Sequence, residues 1–326
     1  MDLILVAPGL LALAPAALAS DRALSRIAGA AEPIVVDDLD RALLGALDAS
    51  VPAAPLAALG AGMDPAGRFV IRADPVTMRV THDDVRIAAR VDDLDARDAD
   101  ALVTLLDAHF AAEGLAFHAP RGDAWFATSH AMHQIATTPL DAAIGRALRP
   151  CLPTGADAAR WRRWLTEAQM LLHEHPLGAR AHPVNGLWFS GGGMPRPRSA
   201  GDGRPGQGRT AVAAAPGRDG DVARGLARLA GRETLAYAGI AAALAAAGAA
   251  SRLVVVLPRI GGDRGDAGTF AAMAEALSAL ARGTLRQLDL VADGGGVAAT
   301  WSMGRPSLWR RIAPRTARFV PPERGE

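Results

Sequence analysis

Lysine is missing from these 326 residues, so all 35 basic side chains are arginines. That excludes a catalytic lysine, a Schiff base and the lysine of a phosphate-binding P-loop. Cysteine is nearly missing too. Cys151 stands alone, which excludes an internal disulfide and a thiolate metal cluster and fits a reducing, cytoplasmic location. Its neighbours Leu152 and Pro153 offer nothing to stabilise a thiolate, so Cys151 reads as a packed, inert thiol. Charge imbalance is lacking as well: 34 acidic residues offset the arginines to a net +1. Nothing global therefore points to nucleic acid or an anionic membrane as partner. No segment is both long enough and uncharged enough to cross a bilayer. The apolar run from Leu3 to Ala19 ends in Ala17-Leu18-Ala19-Ser20, which resembles a cleavage site. However, Asp2 stands where a basic leader region belongs, no arginine precedes Arg22, and Pro8-Gly9 and Pro15 interrupt the run. Leu3 to Ala7 is therefore expected to be a first core strand.

What the chain does have is apolar bulk, with half of its residues hydrophobic, enough for one large core or two smaller ones. In the first 65 residues, expected strands at 3–7 and 34–36 alternate with expected helices at 16–29 and 38–47, as in a parallel sheet. Pro52, Pro55, Gly60, Gly62 and Pro65 then break the pattern. From Arg68 onward short strands crowd together at 69–73, 77–80 and 85–87, before a helix at 96–113 and strands near 115–118 and 124–127. This is an antiparallel α+β texture. Alternation resumes at Thr210, with strands at 210–215, 253–257 and 287–292 and helices at 219–230, 235–247 and 268–281. The expected fold is α/β: a discontinuous core of residues 1–65 and 137–326, its sheet covered by helices on both faces, with an inserted α+β domain at 66–136. Residues 194–209, rich in Gly, Pro and Arg, read as a flexible surface loop. The arginines beyond Gly304 read as a solvated basic tail.

One stretch, Arg160 to Gly193, holds three of the six tryptophans and the densest mixture of polar and aromatic groups. Its first half reads as a helix with Thr154 as N-cap, Asp157 in a capping-box position and Pro176 as the stop. Trp161, Trp164, Leu165, Ala168, Leu171 and Leu172 form its buried stripe. Glu167 lies off the stripe, and Gln169 and His173 lie one turn apart. Val184 to Phe189 reads as a strand ending on three glycines. Asn185 and Trp188 have two readings: they line a ligand cleft, or Trp188 fills a core while Asn185 satisfies loop backbone. Arg72 and Arg180 are the arginines placed to meet an anionic ligand. Glu167, His173, His175 and His182 are also weighed as a metal site. His173 and His175 point apart on a regular helix, so the plainer reading is that histidines here cap the helix end.

Two resemblances enter here. Phe69-Val70-Ile71-Arg72-Ala73 with Thr77, Leu171-Leu172-His173-Glu174-His175-Pro176, and Pro183-Val184-Asn185-Gly186-Leu187-Trp188 resemble segments of the archaeal-type, cofactor-independent phosphoglycerate mutases of the alkaline-phosphatase superfamily. That resemblance implies an α/β core carrying two metal ions and an inserted domain that closes over a phosphorylated substrate. Glu167 to Pro176 and Pro183 to Gly193 are more closely similar to regulatory proteins of the RpfE type, for which no biochemical activity is implied.

The departures from the mutase pattern carry as much weight. A two-metal phosphoryl-transfer site needs carboxylates and imidazoles around both ions, and a serine nucleophile. The family's first strand ends in Asp-Gly, whereas this one ends in Pro8-Gly9, and no histidine follows His182. Asp263, Asp266 and Asp293 are the acids left near strand ends. The expectation is a non-catalytic regulatory or binding protein on a mutase-like scaffold, with no cofactor and with a protein partner or a small anionic ligand. The candidate cleft comprises Glu167, Gln169, His173, His175, Asn185, Trp188, Arg72 and Arg180. The alternative is a cofactor-independent phosphoglycerate mutase or related phosphotransfer enzyme using manganese or zinc.

Overall fold

The computed structural model describes every residue except 48, 50, 83, 93, 180–182, 196–208, 233, 261–265 and 305–326. Most of the 194–209 loop and the whole basic tail therefore lie outside the described residues. In chain order the first elements are β1 (Asp2–Ala7), α1 (Pro15–Ser20), α2 (Arg22–Ala28), β2 (Ile34–Val36), α3 (Leu39–Ala46) and α4 (Ala53–Ala61). Next come β3 (Phe69–Val80), β4 (Val85–Arg90), α5 (Ala96–Phe110), β5 (Leu115–Arg121), β6 (Ala124–Ser129), α6 (Leu140–Ala143), α7 (Ala158–Glu174) and β7 (Gly186–Gly193). The chain ends with β8 (Thr210–Ala214), α8 (Asp221–Leu229), β9 (Leu235–Ala236), α9 (Ile240–Ala247), β10 (Arg252–Val256), α10 (Asp266–Arg282), β11 (Gln287–Gly294) and β12 (Val297–Gly304). Among the described residues no helix is long and apolar enough to cross a membrane.

The chain divides into two compact units, Met1–Ser50 with Arg198–Glu326, and Val51–Pro197. In the first, a seven-stranded sheet has the order β2-β12-β11-β1-β10-β8-β9. Strands β11, β1, β10, β8 and β9 run parallel; at one edge β12 is antiparallel to β11, and β2 is antiparallel to β12. β1 is buried on both sides: Leu3, Leu5 and Ala7 join one hydrophobic cluster with α2, α9 and α10, and Ile4 and Val6 on the opposite face are equally inaccessible. This explains why β1 and β10 read as unbroken apolar runs, as parallel strands covered on both faces do. α3 packs on β11 and β12, and α8 on β8. Leu3 to Ala7 thus lies in a central strand, as expected. The expected helix at 16–29 is two helices, because Asp21 leaves the helical path and caps the second by accepting from Leu24 N at 2.7 Å. β12 has no counterpart among the expected strands.

The second unit is built around β3, a single strand where two short ones were expected. Arg72 pairs with both Phe126 of β6 and Ser190 of β7, so those strands flank β3 on opposite edges; β4 extends the β6 side along residues 76–80. β5 pairs with β6 outside it. α5 packs on β5, α7 on β7 and α5, and α4 on β7, β3 and β6. Phe69, Ile71, Trp125, Trp161, Trp164, Leu165, Leu172, Leu187 and Phe189 share one core.

This pairing moves the expected domain boundaries. Residues 51–65 and 137–197, assigned to the α/β core from sequence, belong to the inserted unit, because β7 is hydrogen-bonded to β3 over Val70–Val76 and carries α7 and α4 with it. β7 also runs through the triple glycine that was expected to end it. A Cβ on Gly192 would lie 2.7 Å from the Phe69 ring, and one on Gly193 would collide with Pro52, so these glycines are what lets the strand lie so close to its cover.

Candidate functional site

The stretch singled out from sequence lies wholly within the inserted unit. α7 starts one turn later than expected. Asp157, not Thr154, is its N-cap, and the Asp157 carboxylate accepts from Gln134 N at 2.8 Å, while Thr154 forms a backbone bridge with Ala136. The helix ends at Glu174, with His175 as C-cap and a 3-10 turn opening on Pro176. Its inward face is Trp161, Trp164, Leu165, Ala168 and Leu172, all buried.

Gln169 and Asn185 converge on Met78. The Asn185 side chain accepts from Met78 N at 2.6 Å and donates to Met78 O at 3.0 Å, and Gln169 Nε2 lies 2.6 Å from the Met78 sulfur. Asn185 thereby adds one more rung beside the β3–β7 ladder, just beyond its last pair, Val76 with Gly186. Thr77 adds a bond from its hydroxyl to Pro183 O at 2.7 Å. Trp188 is buried and donates to Thr138 O at 2.9 Å. Arg72 lies buried on β3.

The remaining cleft residues point elsewhere. Glu167 belongs to a surface group with His109 at 3.3 Å and Arg163 at 3.5 Å. His173 is exposed, and the His175 imidazole accepts from Leu177 N at 3.3 Å, a capping contact. Arg180 and His182 lie outside the described residues. Gln169 and Asn185 are therefore brought together, whereas Glu167, His173, His175 and Trp188 each have separate surroundings. Among the described residues, no three His, Cys, Asp or Glu side chains are gathered so as to hold a metal.

The α/β unit has a second polar centre, where four parallel strands end. In open parallel sheets this is where ligands bind. Gly9, just past β1, donates its N–H to Asp293 at the end of β11, 2.6 Å away. Gly9 has φ 80° and a Cβ there would lie 2.5 Å from Ile260 O, so only glycine brings this N–H so close. Arg259, just past β10, grips Asp219, just past β8, through two bonds of 2.7 and 2.8 Å, and its Nη2 lies 3.3 Å from Asp293. Asp293 is 5% exposed and Arg259 32%. Beside them Asp221, fully buried, pairs with Arg224 at 2.7 Å, and Arg224 also donates to Ala215 O and Gly217 O, clamping the turn after β8. Every one of the 8 histidines falls between residues 82 and 182, within Val51–Pro197, so this unit has no imidazole to offer. Asp293 was singled out from sequence, whereas the pairing of Arg259 with Asp219 was not. The available signal was position: each follows the C-terminal end of an expected parallel strand. Asp263 lies outside the described residues, as does the Asp266 side chain.

No known family model and no curated protein sequence matches the chain. Solved structures do match. The PH0037 protein from Pyrococcus horikoshii is 14% identical, with a TM-score of 0.50 over 93% of this chain and 87% of that one. The two share a fold. A cofactor-independent phosphoglycerate mutase from Thermoplasma acidophilum is 16% identical over 94% of this chain and 90% of that one, with a TM-score of 0.44. The helix-flanked multi-stranded sheet, interrupted in sequence by a second unit with its own sheet, agrees with the α/β fold with an inserted α+β domain expected from the sequence.

Proposed function

We propose that this protein is a non-catalytic binding or regulatory protein on a phosphoglycerate-mutase-like scaffold, with an arginine of its own in the place where that scaffold would hold cations. The observation that carries the reading is the guanidinium of Arg259 held between Asp219 and Asp293 at the ends of β8, β10 and β11. A two-metal phosphoryl-transfer centre needs several anionic and imidazole ligands free to close around each ion. Here two carboxylates already have a bidentate or charge-assisted cationic partner, a third is paired with Arg224, and the unit contains no histidine. Among the described residues this donor set does not fit manganese or zinc. The similarity of Glu167–Pro176 and Pro183–Gly193 to RpfE-type regulatory proteins supports a regulatory role, with a protein partner or a small anionic ligand.

The alternative is a cofactor-independent phosphoglycerate mutase or related phosphotransfer enzyme, in which a metal would have to displace Arg259. Elemental analysis of the purified protein, together with a coupled assay for conversion of 3-phosphoglycerate to 2-phosphoglycerate in added manganese, separates the two. The proposal expects substoichiometric metal and no turnover above background. Stoichiometric manganese or zinc, with turnover abolished by a chelator, would establish the enzyme.

A further inference from the structure

His133 occupies a place the preceding reading does not use. It sits in the segment 130–139, which connects β6 to α6, and it is 7% exposed. Neither of its ring nitrogens has a hydrogen-bond partner. Its walls are rings: Phe69 of β3 at 5.0 Å, Trp161 at 5.2 Å and Trp164 at 5.8 Å, the last two on α7, all edge-to-face. The indole nitrogens of Trp161 and Trp164 are also buried and without a hydrogen-bond partner. A buried imidazole normally bonds through at least one nitrogen, so this arrangement calls for a physical account. The neutral ring is tolerated because aromatic faces accept N–H weakly. An imidazolium has two strong donors and a charge, and the box supplies no oxygen to either.

The segment that carries His133 is a strap held by a few polar contacts on either side of it. Gln134 N donates to the Asp157 carboxylate at 2.8 Å, Ala136 and Thr154 form a two-way backbone bridge, Gly191 N donates to Thr137 Oγ1 at 3.1 Å, and Trp188 donates to Thr138 O at 2.9 Å. The charges that act on the ring come from α7: Asp157 at its cap favours protonation, and Arg160, which lies 6.0 Å from the Trp164 ring centroid, opposes it. From β3 the ring meets the apolar Phe69, and His130 on the strap itself is exposed.

We infer that His133 is an acid-sensitive latch: protonated, it leaves the aromatic box, and the 130–139 strap comes away from α7. Burial holds its pKa below the ordinary value of 6.5, Arg160 adds to that and Asp157 offsets part of it. A histidine depressed in the folded state contributes stability that is complete above the unfolded pKa and is lost as pH falls below about 6.5. One such proton lowers the melting temperature by about 3–5 °C per pH unit in a domain of this size.

The test is a set of melting curves and tryptophan emission spectra on the full chain between pH 8 and pH 5, for the wild type and for His133→Phe, which keeps a ring and removes the titration. The wild type is expected to lose melting temperature faster than the variant below about pH 6.5, with emission moving to the red as Trp161 and Trp164 meet water. Identical pH dependence in the two proteins would overturn the latch. Should His133→Phe fail to fold, His133→Gln takes its place, and an NMR titration of the wild-type imidazole decides independently: a His133 pKa at or above 6.5 overturns the inference, as it would mean that the ring faces hold the imidazolium in place.

Discussion

Asn185 shows what one side chain does when its two amide groups meet both backbone groups of a single residue. It donates to Met78 O and accepts from Met78 N, extending the β3–β7 pairing beyond its last pair, Val76 with Gly186. Asn185→Ala leaves both buried groups without a partner and is expected to cost about 1–3 kcal/mol, read as a lower midpoint in urea denaturation with an unchanged slope. An unchanged midpoint would return Asn185 to the role of a ligand-facing residue. The sequence allowed both readings, because the deciding partner is 107 residues away. Arg259 is the same case in the other unit: nothing local to Leu257-Pro258-Arg259 announces Asp219, 40 residues earlier, or Asp293, 34 residues later.

At the scale of elements, periodicity was the reliable guide and termini were not. The stripe of α7 was legible because tryptophan and leucine recur at helical spacing, and all of its expected residues are buried except Leu171, which is half-buried. The cap was not, since Thr154 and Asp157 are both competent N-caps and it is the pull of Gln134 and Ala136 that divides the roles between them. β7 shows the same limit: three glycines read as a strand end, yet the sheet continues through them, and at Gly192 and Gly193 the neighbouring Phe69, Ile71 and Pro52 leave no room for side chains. Gly192→Ala is accordingly expected to destabilise by about 1–3 kcal/mol through overpacking against Phe69 and Ile71. Gly45→Ala, on an open face of α3 with no atom within 4 Å of the added Cβ, should be neutral or stabilising by up to about 1 kcal/mol. Thermal denaturation of the two variants beside the wild type checks the contrast, and equal shifts would refute the packing argument.

At the scale of the whole molecule, each unit has its own hydrophobic core, and the two clusters share no residue. Val51–Pro197 is continuous in sequence and contains its own sheet, its cover helices and all 8 histidines. Expressed alone, this stretch is expected to fold, giving a mixed helix and strand far-UV spectrum and a single cooperative melt. A spectrum without secondary structure, or a melt without a transition, would show that its core depends on the rest of the chain. The sequence by itself determined the classes of structure: unbroken apolar runs for strands buried on both faces, helical stripes, a break in texture near residue 65, no lysine anywhere and no histidine after His182. These follow from local periodicity and composition, which each segment carries within itself. Only the tertiary structure decided that β7 joins β3 and takes residues 137–197 into the inserted unit, that Asn185 and Trp188 serve the framework, and that Arg259 sits between two carboxylates. Pairing, ion contacts and burial are set between residues far apart in the chain, and no local pattern encodes which partner will be met.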